Sequence, residues 1–219
     1  MSVYDILPHV SLEARVRRDR AVAGLGLAGV VILLAGCATL TLAQQQSEAE
    51  VRAFADRTAR LYGLPPIPVL VSRNPHDPPG SYRRGFFSVS SITLTSTFRD
   101  AVVAHELAHY VLGHDAPLPG STPEEVRGAY QQRELDANAK AVEILTRAAD
   151  MSEERALRTV YAYLAGVHWA LERYPRLNLS GHKPPCEEIA DLLARFPLQR
   201  AWTASLECAP AGPSGAAAG

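Results

Sequence analysis

Hydrophobic residues recur at three- and four-residue spacing through most of the chain after residue 47, which is typical of helices with one buried face. A first such helix is predicted to begin at Ser47 and Glu50, which have the spacing of a capping box. The pattern ends at Gly63 and at the Pro65-Pro66 pair, where a helix does not continue. The hydrophobic face of this helix comprises Val51, Phe54, Ala55, Thr58, Leu61 and Tyr62.

The same spacing predicts four further helices. The best marked of them begins at Pro123, since Thr122 is a suitable N-cap, proline fits the first helical position and Glu125 completes a capping box. The four predicted ranges are 100–113, 123–148, 152–174 and 185–196.

Three short runs rich in β-branched and aromatic residues predict strands at 67–72, 82–90 and 91–97, the last two antiparallel. The Pro-rich segment 74–80 is predicted to be a loop. A few strands followed by several helices indicate an α+β fold with a small, mostly antiparallel sheet.

Residues 21–43 form an uncharged apolar stretch of 23 residues, and a bilayer-spanning helix needs about 20. Four arginines precede this stretch, so the N-terminus is expected to stay in the cytoplasm. Leu34 to Cys37 also resemble the lipobox of bacterial lipoproteins, and this leaves two interpretations open, an uncleaved signal anchor or a lipoprotein signal. We therefore expect a leader at 1–20, a membrane anchor or signal at 21–43, one domain at 44–208 and a disordered tail at 209–219.

Composition and charge argue against nucleic acid as a partner. The net charge is -1, from 22 basic and 23 acidic residues, so the protein lacks the overall positive field that holds a nucleic acid backbone. Neither Cys186 nor Cys208 has metal-ligand spacing to another cysteine, so a thiolate zinc site is not expected. In an exported domain the two cysteines either form a disulfide or remain separate buried thiols.

The chemistry of the chain centres on His105-Glu106-Leu107-Ala108-His109, which falls inside the helix predicted at 100–113. Histidines four residues apart on a helix project from one face, so His105 and His109 can bind one ion. Neutral imidazoles suit Zn²⁺. Glu106 is then placed beside the ion, where it can act as the general base toward a zinc-activated water.

A catalytic zinc requires a third protein ligand. Glu134 is the preferred candidate, because Asn138 follows one turn later, at the spacing where one side chain coordinates and the next orients a ligating histidine. We expect His114 to cap the end of the preceding helix, since it would point about 180° away from His105 if that helix continued. The remaining candidates are Asp115, Asp136, His168 and His182.

The segments HELAHYVLGH and RELDANAKAVEIL resemble the gluzincin pattern H-E-x-x-H...E-x-x-A-[DN] of the HtpX and CAAX prenyl protease family and of the minigluzincins. The segment SGHKPPCEEIADLL is similar to that family's S-x-H-P-P-x-x-x-R-I segment. The resemblance implies that His105, His109 and Glu134 bind one zinc ion and that Glu106 is the general base.

The chain departs from this family pattern in three places. Asn138 stands where the family usually has Asp, and Lys183 and Glu188 replace a proline and an arginine. Asn at this position also resembles the cytosolic, regulatory ImmA/IrrE peptidases, whose pattern is H-E-x-x-H...E-x-x-A-N.

In gluzincins a strand near the active-site helix usually receives the substrate backbone, and residues 91–97 are the expected edge here. His182 is the preferred donor for stabilising the tetrahedral intermediate, with Tyr161, Tyr163, His168 and Arg173 as alternatives.

Together these expectations describe a membrane-tethered zinc metalloendopeptidase that acts on protein or peptide substrates on the extracytoplasmic side. The alternatives are a non-catalytic, zinc-stabilised envelope binding module and a cytosolic-facing regulatory peptidase of the ImmA/IrrE kind.

Overall fold

Five α-helices and three short strands make up the protein in a computed structural model that describes residues 40–74, 77–83, 85–173 and 181–197. The α+β class expected from the sequence is thus confirmed. The helices are α1 Leu42–Leu61, α2 Arg99–Val111, α3 Pro123–Ala148, α4 Glu153–Arg173 and α5 Pro185–Arg195, and the strands are β1 Val69–Ser72, β2 Gly80–Arg83 and β3 Phe86–Ser90.

The predicted helix boundaries hold best where a capping residue marks them. Helix α3 begins as predicted, with the Thr122 hydroxyl accepting from the Glu125 N–H and the Glu125 carboxylate accepting from the Thr122 N–H. At α4 the Arg155 N–H donates to the Ser152 hydroxyl at 3.2 Å. Satisfying these otherwise unpaired N–H groups fixes where each helix starts.

The start of α1 was predicted wrongly. The helix begins at Leu42, and its capping box is formed by Thr41 and Gln44. Ser47 lies inside the helix and is buried, where its hydroxyl donates to the Leu94 carbonyl and accepts from Arg99. The predicted cap residue therefore joins α1 to the start of α2.

The sheet is mixed, with the strand order β1-β3-β2. Strand β3 pairs in parallel with β1 and antiparallel with β2. The expected antiparallel pairing of 82–90 with 91–97 is therefore wrong, and of the two observed strand pairs only β2–β3 is antiparallel. This pair joins the two halves of the single run predicted at 82–90, where Gly85 adopts a φ of +86° between β2 and β3.

The strand predicted at 91–97 is wrong. The Ser90 hydroxyl accepts the Thr93 N–H at 3.2 Å and turns the chain into a short 3-10 helix, Thr93–Thr95. Leu94 is buried, whereas Ile92 is exposed. Local side-chain hydrogen bonding thus outweighs the β propensity of this run.

Helix α2 lies at the centre of the molecule and contacts the sheet, α1, α3 and α4. Its buried face, which includes Ala104 and Leu107, belongs to one hydrophobic core with Phe87 of β3, Ile144 of α3 and Leu157 of α4. Because other elements pack against α2 on several sides, it is a rigid support for the side chains that project from it.

The described helices include none that is both long enough and apolar enough to cross a membrane. Of the stretch predicted as an anchor or signal, 21–43, only the last four residues are described, and they lead directly into α1. The predicted leader at 1–20 and the predicted tail at 209–219 lie outside the described residues.

Candidate metal centre

The two histidines of α2 and one glutamate of α3 converge on a single point. His105 Nε2 lies 3.1 Å from His109 Nε2 and 3.2 Å from Glu134 Oε2, and His109 Nε2 lies 3.6 Å from the same oxygen. All three side chains are largely buried. This group could hold a metal ion.

Asn138, one turn after Glu134, holds the first of these rings. Its Oδ1 lies 2.9 Å from His105 Nδ1, and the residue is 1% exposed. Because an amide oxygen only accepts, His105 must donate from Nδ1–H, so in the neutral ring the Nε2 lone pair is directed at the point of convergence. The structure therefore fixes the tautomer that a metal ligand needs.

His114 holds the second ring in a comparable way. Gly113 has a φ of +66°, and the Gly113 and His114 N–H groups donate to the carbonyls of Tyr110 and His109, which is a Schellman motif. His114 thus caps the helix end through its backbone, as expected. The reversal also brings His114 Nδ1 to 2.7 Å from His109 Nδ1. The opposite direction applied only to a continued helix, and α2 ends at Val111.

Glu106 is buried beside the two histidines and lies against strand β2. The Tyr82 backbone N–H hydrogen-bonds to it. Gly80 permits this close approach, since a Cβ at that position would lie 2.8 Å from Glu106 Oε1 and 2.6 Å from Val102 Cγ1. Burial, together with the nearby Glu134 carboxylate, raises the pKa of Glu106 to about 7 despite the opposing effect of His105.

The charge at the centre is carried by carboxylates and imidazoles. Burial acts to raise the pKa of Glu134, but the two histidines hold it well below its ordinary value. Burial acts to lower the pKa of His105, and Glu134, Glu106 and Glu188 outweigh it and raise that pKa to about 9. Burial lowers the pKa of His109. Among the described residues, Glu134 forms no ion pair with a lysine or arginine.

His182 lies at the edge of the same group. Its Nδ1 is 3.3 Å from Glu188 Oε1 and 3.7 Å from Glu134 Oε2, and its ring meets that of Tyr130 edge to face. Burial acts to lower the pKa of His182, but the two carboxylates outweigh this effect and raise it. The structure therefore brings His182 to the centre, beside the third ligand candidate.

A cleft of about 800 Å³ opens onto the group and is bounded by β2, α2, α3, α4 and the segment before α5. Its α4 wall is apolar and includes Val167 and Leu171. Of the five donors predicted for the intermediate, His182 and Tyr163 line this cleft. His105, His109, Glu134 and Glu106 are all among the residues that line the cleft.

The other third-ligand candidates have different partners. Asp115 accepts from the Tyr82 hydroxyl, Asp136 pairs with Arg195, and His168 lies close to Glu172 and Cys186. Cys186 is disulfide-bonded, and the other two cysteines of the chain lie outside the described residues.

Sequence reasoning missed two residues at this centre. Tyr82 stacks on the His109 ring, with centroids 5.6 Å apart and planes 16° apart. Glu188 contacts both Asn138 and His182. Both residues reach the centre from other elements of the fold, so no short-range spacing could have found them.

No family model matches the chain, and neither the curated proteins nor the solved structures gave a match. The resemblance stated from the motifs therefore stays a prediction.

Proposed function

We propose that this protein is a zinc-dependent metalloendopeptidase. The observation that carries the proposal is the convergence of His105 Nε2, His109 Nε2 and a Glu134 oxygen, with distances of 3.1 to 3.6 Å between them. A second carboxylate, that of Glu106, lies beside this set in a cleft. Two imidazoles and one carboxylate with an open position are a donor set of catalytic zinc sites.

The spacing of the three atoms suits zinc. An ion bonded tetrahedrally at 2.0 to 2.1 Å holds its ligand atoms about 3.3 Å apart, close to the separations in this structure. The buried Glu134 carboxylate has no lysine or arginine partner among the described residues. Its partners are the imidazoles of His105, His109 and His182, and the same carboxylate would balance part of the charge of a bound cation.

Glu106 is the proposed general base. When bound, zinc supplies a Lewis acid that activates water at neutral pH. Glu106 takes a proton from the attacking water as the water oxygen adds to the peptide carbonyl carbon. The same carboxyl then gives that proton to the leaving amine nitrogen as the C–N bond breaks. His182, at the edge of the centre, is the proposed donor to the carbonyl oxygen.

Strand β2 replaces residues 91–97 as the proposed substrate edge. It is an edge strand of the sheet, and Gly80 to Arg83 line the cleft. An extended peptide can add to such an edge by main-chain hydrogen bonds. Because the Tyr82 N–H also contacts Glu106, a peptide bound there would lie next to the general base.

We further propose that the peptidase domain is tethered to a membrane and faces an oxidising compartment. The tether rests on the apolar stretch at 21–43, and the compartment is supported by the disulfide-bonded Cys186. In intact cells an externally added protease should cleave the domain, and a thiol reagent should label Cys186 only after reduction. A protected domain with a free Cys186 thiol would favour the cytosolic regulatory alternative.

The enzyme assignment is tested on the purified full chain with Glu106→Gln, which keeps the size of the side chain. We expect the variant to bind one zinc per chain and to cleave casein at least about 100-fold more slowly than the wild type. The matched control is Glu124→Gln, an exposed glutamate of α3, which should leave both measurements unchanged.

Two results would contradict the enzyme assignment. A wild-type chain that binds zinc but cleaves nothing would favour the non-catalytic binding module. A Glu106→Gln variant as active as the wild type would reject the proposed general base.

A further inference from the structure

Two of the positions at which the chain departs from the gluzincin pattern are in contact. The Asn138 Nδ2 group donates to Glu188 Oε2 at 3.2 Å, between α3 and α5. Both side chains are buried, with Asn138 1% and Glu188 5% exposed. The two departures therefore share one buried hydrogen bond.

The direction of every hydrogen bond from this pair to the metal centre is fixed. A carboxylate only accepts, so Glu188 orients the Asn138 NH₂ group toward α5 and the amide oxygen toward His105. That oxygen lies 2.9 Å from His105 Nδ1, which must therefore donate. The negative charge of Glu188 thus acts on His105 through one amide group.

The second oxygen of Glu188 reaches another residue of the cleft. Glu188 Oε1 lies 3.3 Å from His182 Nδ1. Among the described residues, Glu188 forms no ion pair with a lysine or arginine. A buried carboxylate is costly without such a partner, and here its partners are an amide and an imidazole of the metal centre.

We propose that Glu188 is a positioning residue for this centre. It supplies from α5, through Asn138, the negative charge that an aspartate at 138 would supply directly, and it orients His182 with its other oxygen. The inference rests on the proposed zinc site. The basicity of a ligating histidine rises when its second nitrogen donates to a negatively charged network, so zinc affinity should depend on Glu188.

The test moves this charge between the two helices in the full chain. Glu188→Gln removes the charge and keeps the side-chain shape, whereas Asn138→Asp with Glu188→Gln transfers the charge to α3. Asn138→Asp alone places two buried carboxylates about 3 Å apart, which disfavours ionising both. The matched control is Glu187→Gln, the exposed neighbour in the first turn of α5.

The measurements are the zinc dissociation constant, by competition with a chelator, and the melting temperature of the metal-free protein. We expect Glu188→Gln to weaken zinc binding about 10- to 100-fold and the double variant to recover most of that loss. Asn138→Asp alone should lower the melting temperature of the metal-free protein, and Glu187→Gln should change neither quantity.

If Glu188 had a purely structural role, a substitution at residue 138 would not restore the zinc affinity lost in Glu188→Gln. The inference is overturned if Glu188→Gln binds zinc as tightly as the wild type, or if the double variant binds no more tightly than Glu188→Gln. Should Glu188→Gln fail to fold, a folded double variant with near wild-type affinity would support the inference, and one without zinc affinity would overturn it. A wild-type chain without zinc affinity would contradict the proposed function itself.

Discussion

Helix α3 carries two glutamates nine residues apart whose surroundings differ sharply. The Glu134 side chain is 5% exposed and contacts imidazoles. The Glu143 side chain is 38% exposed and contacts Lys140 at 2.5 Å, Arg147 at 3.0 Å and the Tyr62 hydroxyl at 2.9 Å. Nine residues correspond to about half a turn in excess of two full turns, so the two carboxylates project from opposite sides of the helix.

The difference shows how a structural charge cluster is distinguished from a candidate metal centre. The charge of Glu143 is balanced by cations of the chain itself and by solvent. The charge of Glu134 is buried beside imidazoles that could bind a metal ion with it, with no lysine or arginine paired to it in the described structure. The raised pKa of His105 lets that imidazole carry a balancing charge in the metal-free protein, and in the proposed zinc-bound protein the ion takes this role.

The largest expected effect is on zinc content, when each of the two glutamates is neutralised in turn. Glu134→Gln should abolish stoichiometric zinc binding, because it removes the one anionic ligand of the proposed set. Glu143→Gln should leave one zinc per chain. Metal analysis of the two purified variants measures this, and equal zinc contents would remove the distinction between the two clusters.

The next largest effect is the loss of stability on metal removal. Of the two variants, only Glu143→Gln should show it. Zinc at about 100 times its dissociation constant should stabilise the folded protein by about 2.7 kcal/mol over the chelated form. We expect that gain in the wild type and in Glu143→Gln, and none in Glu134→Gln. Denaturant unfolding with chelator or with added zinc measures it. A gain that persists in Glu134→Gln would place the ion elsewhere.

The sequence predicted the elements that local chemistry determines. Helix α3 carries its own capping box, and its predicted range coincides with the observed Pro123–Ala148. The start of α1 was missed because Thr41 and Gln44, inside the apolar stretch and just after it, form a capping box upstream of the one at Ser47. The predicted strand at 91–97 failed because a single Ser90 hydroxyl turns the chain.

At the site, residues close together in the sequence were predicted, and contacts between residues far apart in the sequence were not. His105 and His109 lie on one helix face, and Glu134 and Asn138 lie on another, so helical spacing alone indicated both pairs. Glu188 contacts Asn138 from 50 residues away, and only the packing of α5 on α3 creates that contact. The cap at His114 was predicted, but its contact with His109 was not, because that contact arises where Gly113 reverses the chain.

A smaller effect is expected from crowding the buried centre with one methyl group. Gly80→Ala would place a Cβ 2.8 Å from Glu106 Oε1, so the proposed base must shift. We expect casein cleavage to slow by about 10- to 100-fold with zinc content unchanged. The control, Gly128→Ala, lies on the exposed part of α3 with no heavy atom within 4 Å of the added Cβ, and it should retain full activity. Unchanged activity in Gly80→Ala would show that Glu106 needs no fixed position.

The smallest effect is expected from the exposed cluster of Glu143 with Lys140, Arg147 and Tyr62. The pH dependence of its contribution to stability shows whether that contribution comes from charge. Burial acts to raise the pKa of Glu143, but hydrogen bonds from Lys140, Tyr62 and Arg147 outweigh it and hold the pKa below the ordinary value of 4.5. A carboxyl whose pKa is lower in the folded state stabilises the fold above the unfolded-state pKa, and that stabilisation is lost as the pH falls through the folded-state value. Because the side chain is 38% exposed, solvent screens the cluster and leaves less than about 1 kcal/mol.

Wild type and Glu143→Gln should therefore differ in free energy of unfolding at pH 7. The difference should shrink as the pH is lowered below 4.5, and it should also shrink in 1 M salt, which screens exposed charges. Urea unfolding of the metal-free proteins across this pH range measures it without any contribution from zinc. A difference that stays constant with both pH and salt would mean that Glu143 acts through packing, and the contrast between the two faces of α3 would then not be one of charge.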